Sequence, residues 1–179
     1  MSFGSGNFKI IRGMLKGKLL DFLGMYAYNI ATLPGAIPTV ERDGWHDSLI
    51  PDTPAFHDDL AMKNLLFYLS SDIERYLGID LIPSYSYLRV YKRGDVLYKH
   101  KDKNSCEFSV TLTLKREPEE SIWPIYLETN DGAMIYPPVK IELDVGDGLI
   151  YKGAEHPHWR DEFEGSRLAQ VFLHYVKGK

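Results

Sequence analysis

The sequence contains only one cysteine, Cys106, among its 179 residues. A single thiol cannot form an internal disulfide or a zinc site built from several cysteines, so any metal site must use histidine and carboxylate ligands. The lack of disulfides is typical of proteins that fold in a reducing compartment, and we therefore expect a cytoplasmic protein.

The sequence also lacks a long apolar run, a basic surplus and any internal repeat. The best apolar candidate near the N-terminus, residues 19–33, contains Asp21 and Asn29, so neither a membrane span nor a signal sequence is expected. The net charge of −4 provides no general attraction for phosphate backbones, which argues against nucleic acid as a partner. These features leave the oligomeric state open.

The length and composition indicate one globular domain over residues 1–179. Hydrophobic residues make up 44% of the chain and charged residues 26%, which is the usual balance of a folded globular protein. A chain of this length buries roughly two-thirds of its unfolded surface, which is enough for a core without crosslinks. The aromatic share of 13%, with 12 tyrosines, favours β-sheet.

Hydrophobic periodicity divides the chain into a helical part, residues 1–80, and a strand-rich part, residues 81–179. The predicted elements are helices over about residues 15–32 and 59–77, an irregular proline-rich connection over 34–57, and strands near 85–91, 108–114, 123–127, 139–143, 148–152 and 167–175. This order predicts an α+β, mainly β fold, in which a small sandwich or barrel carries the N-terminal helices on its outside.

Two metal-capable side chains, His100 and Asp102, stand two residues apart in the strand-rich part. Residues i and i+2 of a strand point to the same face, so the pair could hold one ion. A histidine from a distant strand would complete a two-histidine, one-carboxylate facial triad, the ligand set of non-haem Fe(II) oxygenases. His156 and His158 both fit that third position by parity. Taken alone, His100 and Asp102 could equally belong to an exposed polar segment between lysines that binds no metal.

A cation, Arg167, follows His158 at an interval of nine residues. Arg167 begins the last predicted strand and shares a face with Val171 and Leu173, which we expect to point inward. A cation among apolar inward positions requires an anionic partner. A ligand carboxylate held by two parallel hydrogen bonds would satisfy the guanidinium.

Residues 84–176 resemble the Fe(II)- and 2-oxoglutarate-dependent dioxygenase superfamily, within its prolyl-hydroxylase-like branch. In that family a double-stranded β-helix (a jelly-roll, cupin-like barrel) carries His-x-Asp on an early strand, a distal histidine on a late strand, and an Arg or Lys about nine or ten residues later. The residues that match these positions in order are His100, Asp102, His158 and Arg167, and Tyr91 matches a tyrosine that tends to precede the motif. The interval to Arg167 favours His158 over His156 as the distal histidine.

The resemblance implies a role for each of these residues. The metal ligands and catalytic residues would be His100, Asp102 and His158, which together hold Fe(II). Arg167 would bind the distal carboxylate of the cosubstrate 2-oxoglutarate, and Tyr91 would contact the same cosubstrate. The implied reaction is hydroxylation, with O2 as oxidant, decarboxylation of 2-oxoglutarate to succinate and CO2, and ascorbate as a supporting reductant.

The resemblance leaves the oxidised substrate open. Peptidyl proline is the first expectation, and a small molecule follows closely. Two other classes remain: a metal-dependent cupin-type enzyme that does not use 2-oxoglutarate, and a non-catalytic binding module on the same barrel. Arg167 argues against the first, because such an enzyme has no need of a carboxylate-binding cation, and the intact ligand set argues against the second.

Several other residues are weaker candidates for the site, because ordinary packing of the barrel would explain their presence equally well. Candidates to line the pocket by parity are Arg89, Tyr98 and either Thr111 or Thr113. The loops expected to close over the pocket contain the aromatic candidates Trp45 and Trp123, whereas His46, His57 and His174 are expected to be structural. The lysines around His100 fit either a soluble strand edge or the attraction of an anionic substrate.

Overall fold

The computed structural model describes residues 8–39, 48–130 and 134–178. The helices in these ranges are α1 (Gly17–Ile30) and α2 (Leu60–Leu77). The strands are β1 (Phe8–Ile11), β2 (Ala55–His57), β3 (Leu81–Lys92), β4 (Leu97–His100), β5 (Phe108–Glu117), β6 (Ile125–Leu127), β7 (Val139–Ile141), β8 (Gly148–Tyr151), β9 (His158–Arg160) and β10 (Arg167–Lys177). Both predicted helices are confirmed, with ends within two residues of the prediction.

The local sequence explains both ends of α2. The Asp59 carboxylate accepts hydrogen bonds from the backbone N–H groups of Ala61 and Met62 at 3.0 and 3.2 Å. These bonds satisfy two of the donors that a helix leaves free at its start. Gly78 ends the helix with a φ of 70°, a left-handed conformation that costs glycine little strain.

The described strands form two antiparallel sheets. The larger sheet has the order β1-β8-β5-β10-β3-β2, and the smaller one has the order β4-β9-β6-β7. From β3 onward each strand lies in the other sheet from the strand before it, except that β6 and β7 form a hairpin in the smaller sheet. This arrangement is a double-stranded β-helix, so the predicted α+β, mainly β fold is confirmed.

Both helices pack on the outer face of the larger sheet. The buried residues of this outer layer include Leu23 and Ala27 of α1, Leu65, Leu69 and Ile73 of α2, Val110 and Leu112 of β5, and Val171 and Leu173 of β10. Burying one such aliphatic side chain stabilises the fold by about 1.5–3 kcal/mol relative to leaving it exposed. The outward-pointing residues of the larger sheet therefore form the main hydrophobic core.

The inner face of the larger sheet, which points toward the smaller sheet, is more polar. On β5, Ser109, Thr111 and Thr113 alternate with the apolar residues of the outer face and are buried. Gln170 of β10 donates to the Thr111 hydroxyl at 2.7 Å and accepts from the Thr113 hydroxyl at 3.1 Å. The interior of the barrel is therefore lined by paired hydrogen-bonding groups and suits a polar ligand.

The structure differs from the prediction in the N-terminal part. The connection predicted to be irregular contains β2, which pairs with β3, and the first described residues form β1, which pairs with β8. Both are short edge strands whose partners lie far away in the sequence, and such strands have too few residues to show a reliable period. Trp45 and His46 lie outside the described residues. Neither described helix is long and apolar enough to cross a membrane.

Candidate metal centre and cavity

The three residues of the predicted triad lie together at one end of the smaller sheet. His100 is the last residue of β4 and His158 is the first residue of β9, and the two are direct partners in the strand register. Asp102 follows β4, and its backbone N–H donates to the carbonyl of Gly153 at 3.0 Å. The pairing of two distant strands therefore brings the early His-x-Asp motif to the late histidine.

The side-chain atoms of the triad are close enough to share one ion. Asp102 Oδ1 lies 3.7 Å from His100 Nε2 and 3.5 Å from His158 Nε2. Two atoms bound at about 2.1 Å to one ion at a right angle lie about 3 Å apart, so small adjustments suffice. The imidazole centroids are 4.3 Å apart, and the ring planes are inclined by 56°.

Both histidines present the correct nitrogen to an ion. His100 Nδ1 lies 2.8 Å from the carbonyl of Tyr98, and His158 Nδ1 lies 3.0 Å from the carbonyl of His156. A carbonyl can only accept, so each Nδ1 carries the proton and each Nε2 keeps its lone pair. Burial lowers the pKa of His100, and the neighbouring His158 lowers it further, which favours the neutral form that binds metals.

Asp102 is held as a carboxylate by its neighbours. The Ser109 hydroxyl donates to Asp102 Oδ2 at 2.7 Å, and the same hydroxyl lies 3.0 Å from His174 Nδ1. Because the hydroxyl proton goes to the carboxylate, His174 Nδ1–H is the donor in the second contact. Burial alone would raise the pKa of Asp102, but its neighbours His158, His174 and Ser109 hold it well below its usual range. Asp102 is therefore ionised at neutral pH.

Gly153 allows Asp102 to sit close to the chain segment beside it. A Cβ at this position would overlap Asp102 Oδ2 and would lie 2.5 Å from Ser109 Oγ. Only glycine fits at position 153, because the Asp102 carboxylate and the Ser109 hydroxyl approach its Cα closely. The carboxylate and its hydroxyl partner fill the space that a side chain would need.

A cavity of about 830 Å³ opens beside His100 and Asp102. The side chains of β3 and β10 that line it are Tyr85, Tyr87, Arg89, Tyr91, Phe172 and His174. The Tyr85 ring stacks on His57 at a centroid distance of 4.8 Å and lies tilted against His174 at 4.5 Å. Lys101 and Lys103 also line the cavity. A volume of this size is typical of small-molecule sites.

Solved structures match this chain over nearly its whole length at low sequence identity, whereas no protein-family model and no curated protein sequence matches it. A prolyl-4-hydroxylase from Pseudomonas putida is 15% identical with a TM-score of 0.70, covering 96% of this chain and 94% of that one. A prolyl hydroxylase from Trichoplax adhaerens, in complex with a hypoxia-inducible-factor peptide fragment, is 16% identical with a TM-score of 0.71, covering 96% and 84%. The non-haem α-ketoglutarate-dependent epimerase SnoN from nogalamycin biosynthesis is 12% identical with a TM-score of 0.72, covering 96% and 78%.

The chain has the fold of the Fe(II)- and 2-oxoglutarate-dependent oxygenases. The double-stranded β-helix that the sequence resemblance predicted is therefore confirmed.

In this structure Arg167 lies outside the barrel, contrary to the prediction. Its guanidinium lies 4.2 Å from the centroid of the Tyr28 ring on α1 and donates to Glu117 at 3.0 and 3.2 Å. The side chain is 44% exposed. Val171 and Leu173, which share its face, are buried under the helices. The predicted inward orientation of Arg167 is wrong because these apolar residues belong to the outer core.

The inward face of β10 carries the residues that alternate with Arg167, Val171 and Leu173. Phe172 and His174 line the cavity, so His174, predicted to be structural, lies beside the metal centre. Arg89 lines the cavity as parity suggested. Tyr98, the other candidate from that argument, is 67% exposed, and its side chain lies outside the cavity lining.

His156 and Trp123 are both buried but lie apart from the triad. The His156 carbonyl accepts the Nδ1–H bond of His158, whereas its ring lies outside the group of ligand atoms. Trp123 is 5% exposed, packs edge-on against Tyr91 at 4.7 Å, and donates to the carbonyl of Asp161. The tryptophan predicted as a lid residue is thus part of the barrel core.

Among the described residues, Arg89, Arg116 and Arg160 are buried, and Arg116 is paired with Asp144 at 3.0 Å. Arg89 lies 5.4 Å from the centroid of the Tyr91 ring, and its Nη2 donates to the Tyr87 hydroxyl. Arg160 follows His158 by two residues on β9 and is 1% exposed. Arg160 was not among the residues predicted for the site, although its parity with His158 is the signal that could have indicated it.

Proposed function

We propose that this chain is an Fe(II)- and 2-oxoglutarate-dependent dioxygenase that hydroxylates its substrate. The observation that carries this proposal is the grouping of His100, Asp102 and His158 beside the cavity, with their ligand atoms directed at one another. Two neutral imidazoles and one carboxylate, with room on one side, are the facial ligand set of non-haem Fe(II) oxygenases. The shared fold supports the same assignment.

The protein's own groups form a rigid frame for the metal. Backbone carbonyls fix both imidazoles through their Nδ1–H groups, and Ser109 fixes the second oxygen of Asp102. Such outer contacts orient metal ligands and raise their affinity. When bound, Fe(II) and 2-oxoglutarate supply oxidative chemistry in which one atom of O2 enters succinate, CO2 leaves, and the other oxygen atom enters a substrate C–H bond. Tyr91 lines the cavity and would contact the cosubstrate.

Aromatic side chains beside the triad define where the substrate binds. Tyr85, Tyr87 and Phe172 line the cavity together with His100 and Asp102. Their apolar surfaces exclude water from the region in which the substrate is oxidised, which protects a reactive centre from side reactions. The substrate is therefore expected to present its reacting C–H bond between these rings and the metal.

Peptidyl proline is the first substrate class to test, and a small molecule is the second. Similar folds serve both classes: the Trichoplax enzyme was solved with a peptide fragment, and HygX from Streptomyces hygroscopicus was solved with nickel, 2-oxoglutarate and hygromycin B. The volume of about 830 Å³ and the lysines Lys101 and Lys103 in its lining favour a compact anionic molecule as the second candidate.

The activity is tested by measuring succinate formed from 2-oxoglutarate in the presence of Fe(II), O2 and ascorbate. We expect slow formation without substrate and faster formation when a proline-containing peptide or an anionic small molecule is added. Asp102→Ala should form none, because it removes the only carboxylate of the triad. If the wild-type protein neither forms succinate nor binds 2-oxoglutarate in a metal-dependent way, the proposal is wrong.

The metal ligands are tested by titrating Mn(II) into the metal-free protein. His158→Ala should lose metal binding, whereas His156→Ala, a matched change of a buried histidine two residues away, should retain it. Retention by the first variant and loss by the second would move the ligand to His156. Circular dichroism of both variants shows whether the barrel is intact.

The alternative of a cupin-type metalloenzyme that does not use 2-oxoglutarate makes a different prediction. Such an enzyme would bind Mn(II) through the same triad, but its affinity for the metal would not depend on 2-oxoglutarate. A titration of 2-oxoglutarate into the Mn(II)-loaded protein therefore separates the two. Saturable binding of 2-oxoglutarate supports the dioxygenase, and the absence of binding supports the alternative.

A further inference from the structure

The most unusual side chain in the barrel is the guanidinium of Arg160. It belongs to β9, is 1% exposed, and points to the same face of the strand as His158. Two residues along a strand span about 6.6 Å, which is comparable to the separation between the ends of a five-carbon diacid. Arg160 is therefore at a suitable distance from the metal centre to contact the far end of such a molecule.

Arg160 has few partners for a buried cation. Its Nη1 donates to the carbonyl of Trp123, and its guanidinium lies 5.0 Å from the centroid of the Trp123 ring. Its Nε and Nη2 have no hydrogen-bond partner among the described residues, and no carboxylate in those ranges forms an ion pair with it. Within the described ranges, two donors of Arg160 are thus left for a ligand.

A buried arginine without an anionic partner is costly to the fold. Desolvation of a charge is repaid only when an opposite charge or several hydrogen bonds surround it. A guanidinium stays charged at neutral pH even when it is buried. Retaining such a group is readily explained if a ligand carboxylate completes its surroundings.

The surroundings of Arg160 connect it to the cavity. Leu97 is its partner in the register with β4, and the Trp123 ring that the Arg160 guanidinium faces packs edge-on against Tyr91. Both Leu97 and Tyr91 line the cavity that also exposes His100. Arg160 is therefore adjacent to the wall that a ligand bound at the metal would contact.

We propose that Arg160, and not Arg167, binds the distal carboxylate of the 2-oxo acid cosubstrate. This inference rests on the proposed dioxygenase function. The planar guanidinium would donate its Nε and Nη2 hydrogens to the two carboxylate oxygens, a bidentate contact that lysine cannot reproduce. Arg167 cannot serve, because it stacks on Tyr28 outside the barrel and is already paired with Glu117.

The experiment compares two ligands of the Mn(II)-loaded full-length protein. One is 2-oxoglutarate, and the other is 2-oxopentanoate, which has the same 2-oxo acid end and the same chain length but no distal carboxylate. The wild-type protein should prefer 2-oxoglutarate by about 100-fold or more, as expected for a buried charged contact. Arg160→Met should lose this preference, whereas its affinity for 2-oxopentanoate should change little.

A control variant makes the assignment specific. Arg167→Met removes a cation of the same length outside the barrel, and it should keep a preference close to that of the wild type. If Arg167→Met abolishes the preference, or if Arg89→Met abolishes it while Arg160→Met retains it, the assignment to Arg160 is wrong. If the wild-type protein binds no 2-oxoglutarate at all, the proposed function fails together with this inference.

A purely structural role for Arg160 makes an opposite prediction about stability. If its task were to hold Trp123, Arg160→Met would lower the melting temperature and keep the ligand preference. We expect a melting temperature without ligand that is equal to or above that of the wild type, because an unpaired buried charge is removed. Should the Met variant not fold, Arg160→Lys serves instead. In Arg160→Lys the preference for 2-oxoglutarate over 2-oxopentanoate should fall about 10-fold, and a preference equal to that of the wild type would overturn the proposal.

Discussion

Replacing Gly153 by alanine should weaken metal binding without unfolding the protein. The added methyl group would overlap Asp102 Oδ2, and it would lie 2.5 Å from Ser109 Oγ. Real Cβ contacts essentially never fall below 3.0 Å, so the carboxylate must retreat by at least about 1 Å. Because the same carboxylate faces both histidines, this movement takes Oδ1 away from the position at which it would meet an ion.

The expected loss can be estimated from metal-site energetics. Removing an outer contact of a metal ligand costs 10–100-fold in affinity, and displacing the ligand itself should reach the upper end, about 100-fold or roughly 3 kcal/mol. We would measure it by calorimetric titration of Mn(II) into the metal-free protein. Thermal unfolding followed by circular dichroism would show that the barrel remains folded.

Gly148→Ala is the matched control. Its Cβ would meet Met14 Sδ at 2.5 Å, but this is the far end of a flexible side chain that can turn aside. The control should therefore bind Mn(II) as the wild type does. Wild-type affinity in Gly153→Ala would refute the argument that the close approach of Asp102 positions the metal ligand.

Three further predictions test the network around the site and the helical layer. Burial lowers the pKa of His174 to about 4, against 6.5 for the unconstrained group, so the unfolded state binds the proton first as the pH falls. The metal-free protein should therefore lose roughly 3 kcal/mol of stability between about pH 6.5 and pH 4. Over the same pH range His174→Gln should lose less stability, as measured by urea unfolding. An equal loss in the variant and the wild type would contradict the lowered pKa of His174. Ser109→Ala removes the 2.7 Å bond to Asp102 and should lower Mn(II) affinity about 10-fold, with unchanged affinity as the contrary result. Asp59→Ala removes the N-cap of α2 and should cost about 1 kcal/mol in urea unfolding, whereas no change would show that the cap is dispensable.

The sequence predicted the elements whose signals are local. The ends of α2 follow from Asp59 and Gly78, which stand next to the helix they terminate. The pairing of His100 with Asp102 follows from strand alternation and needs no knowledge of the rest of the chain. The edge strands β1 and β2 were missed because they are stabilised by partners far away in the sequence.

That His100, Asp102 and His158 could share an ion follows from the order and spacing of the residues, because side chains two positions apart on a strand share a face in any barrel of this kind. The alternation of residues also shows that β10 has one apolar face and one mixed face. Which of the two faces the cavity depends on the packing of the helices, since alternation defines two faces but not the one that the helices cover. The helices cover the face of Arg167, so this arginine lies outside the barrel, whereas Arg89 and Arg160 lie inside it.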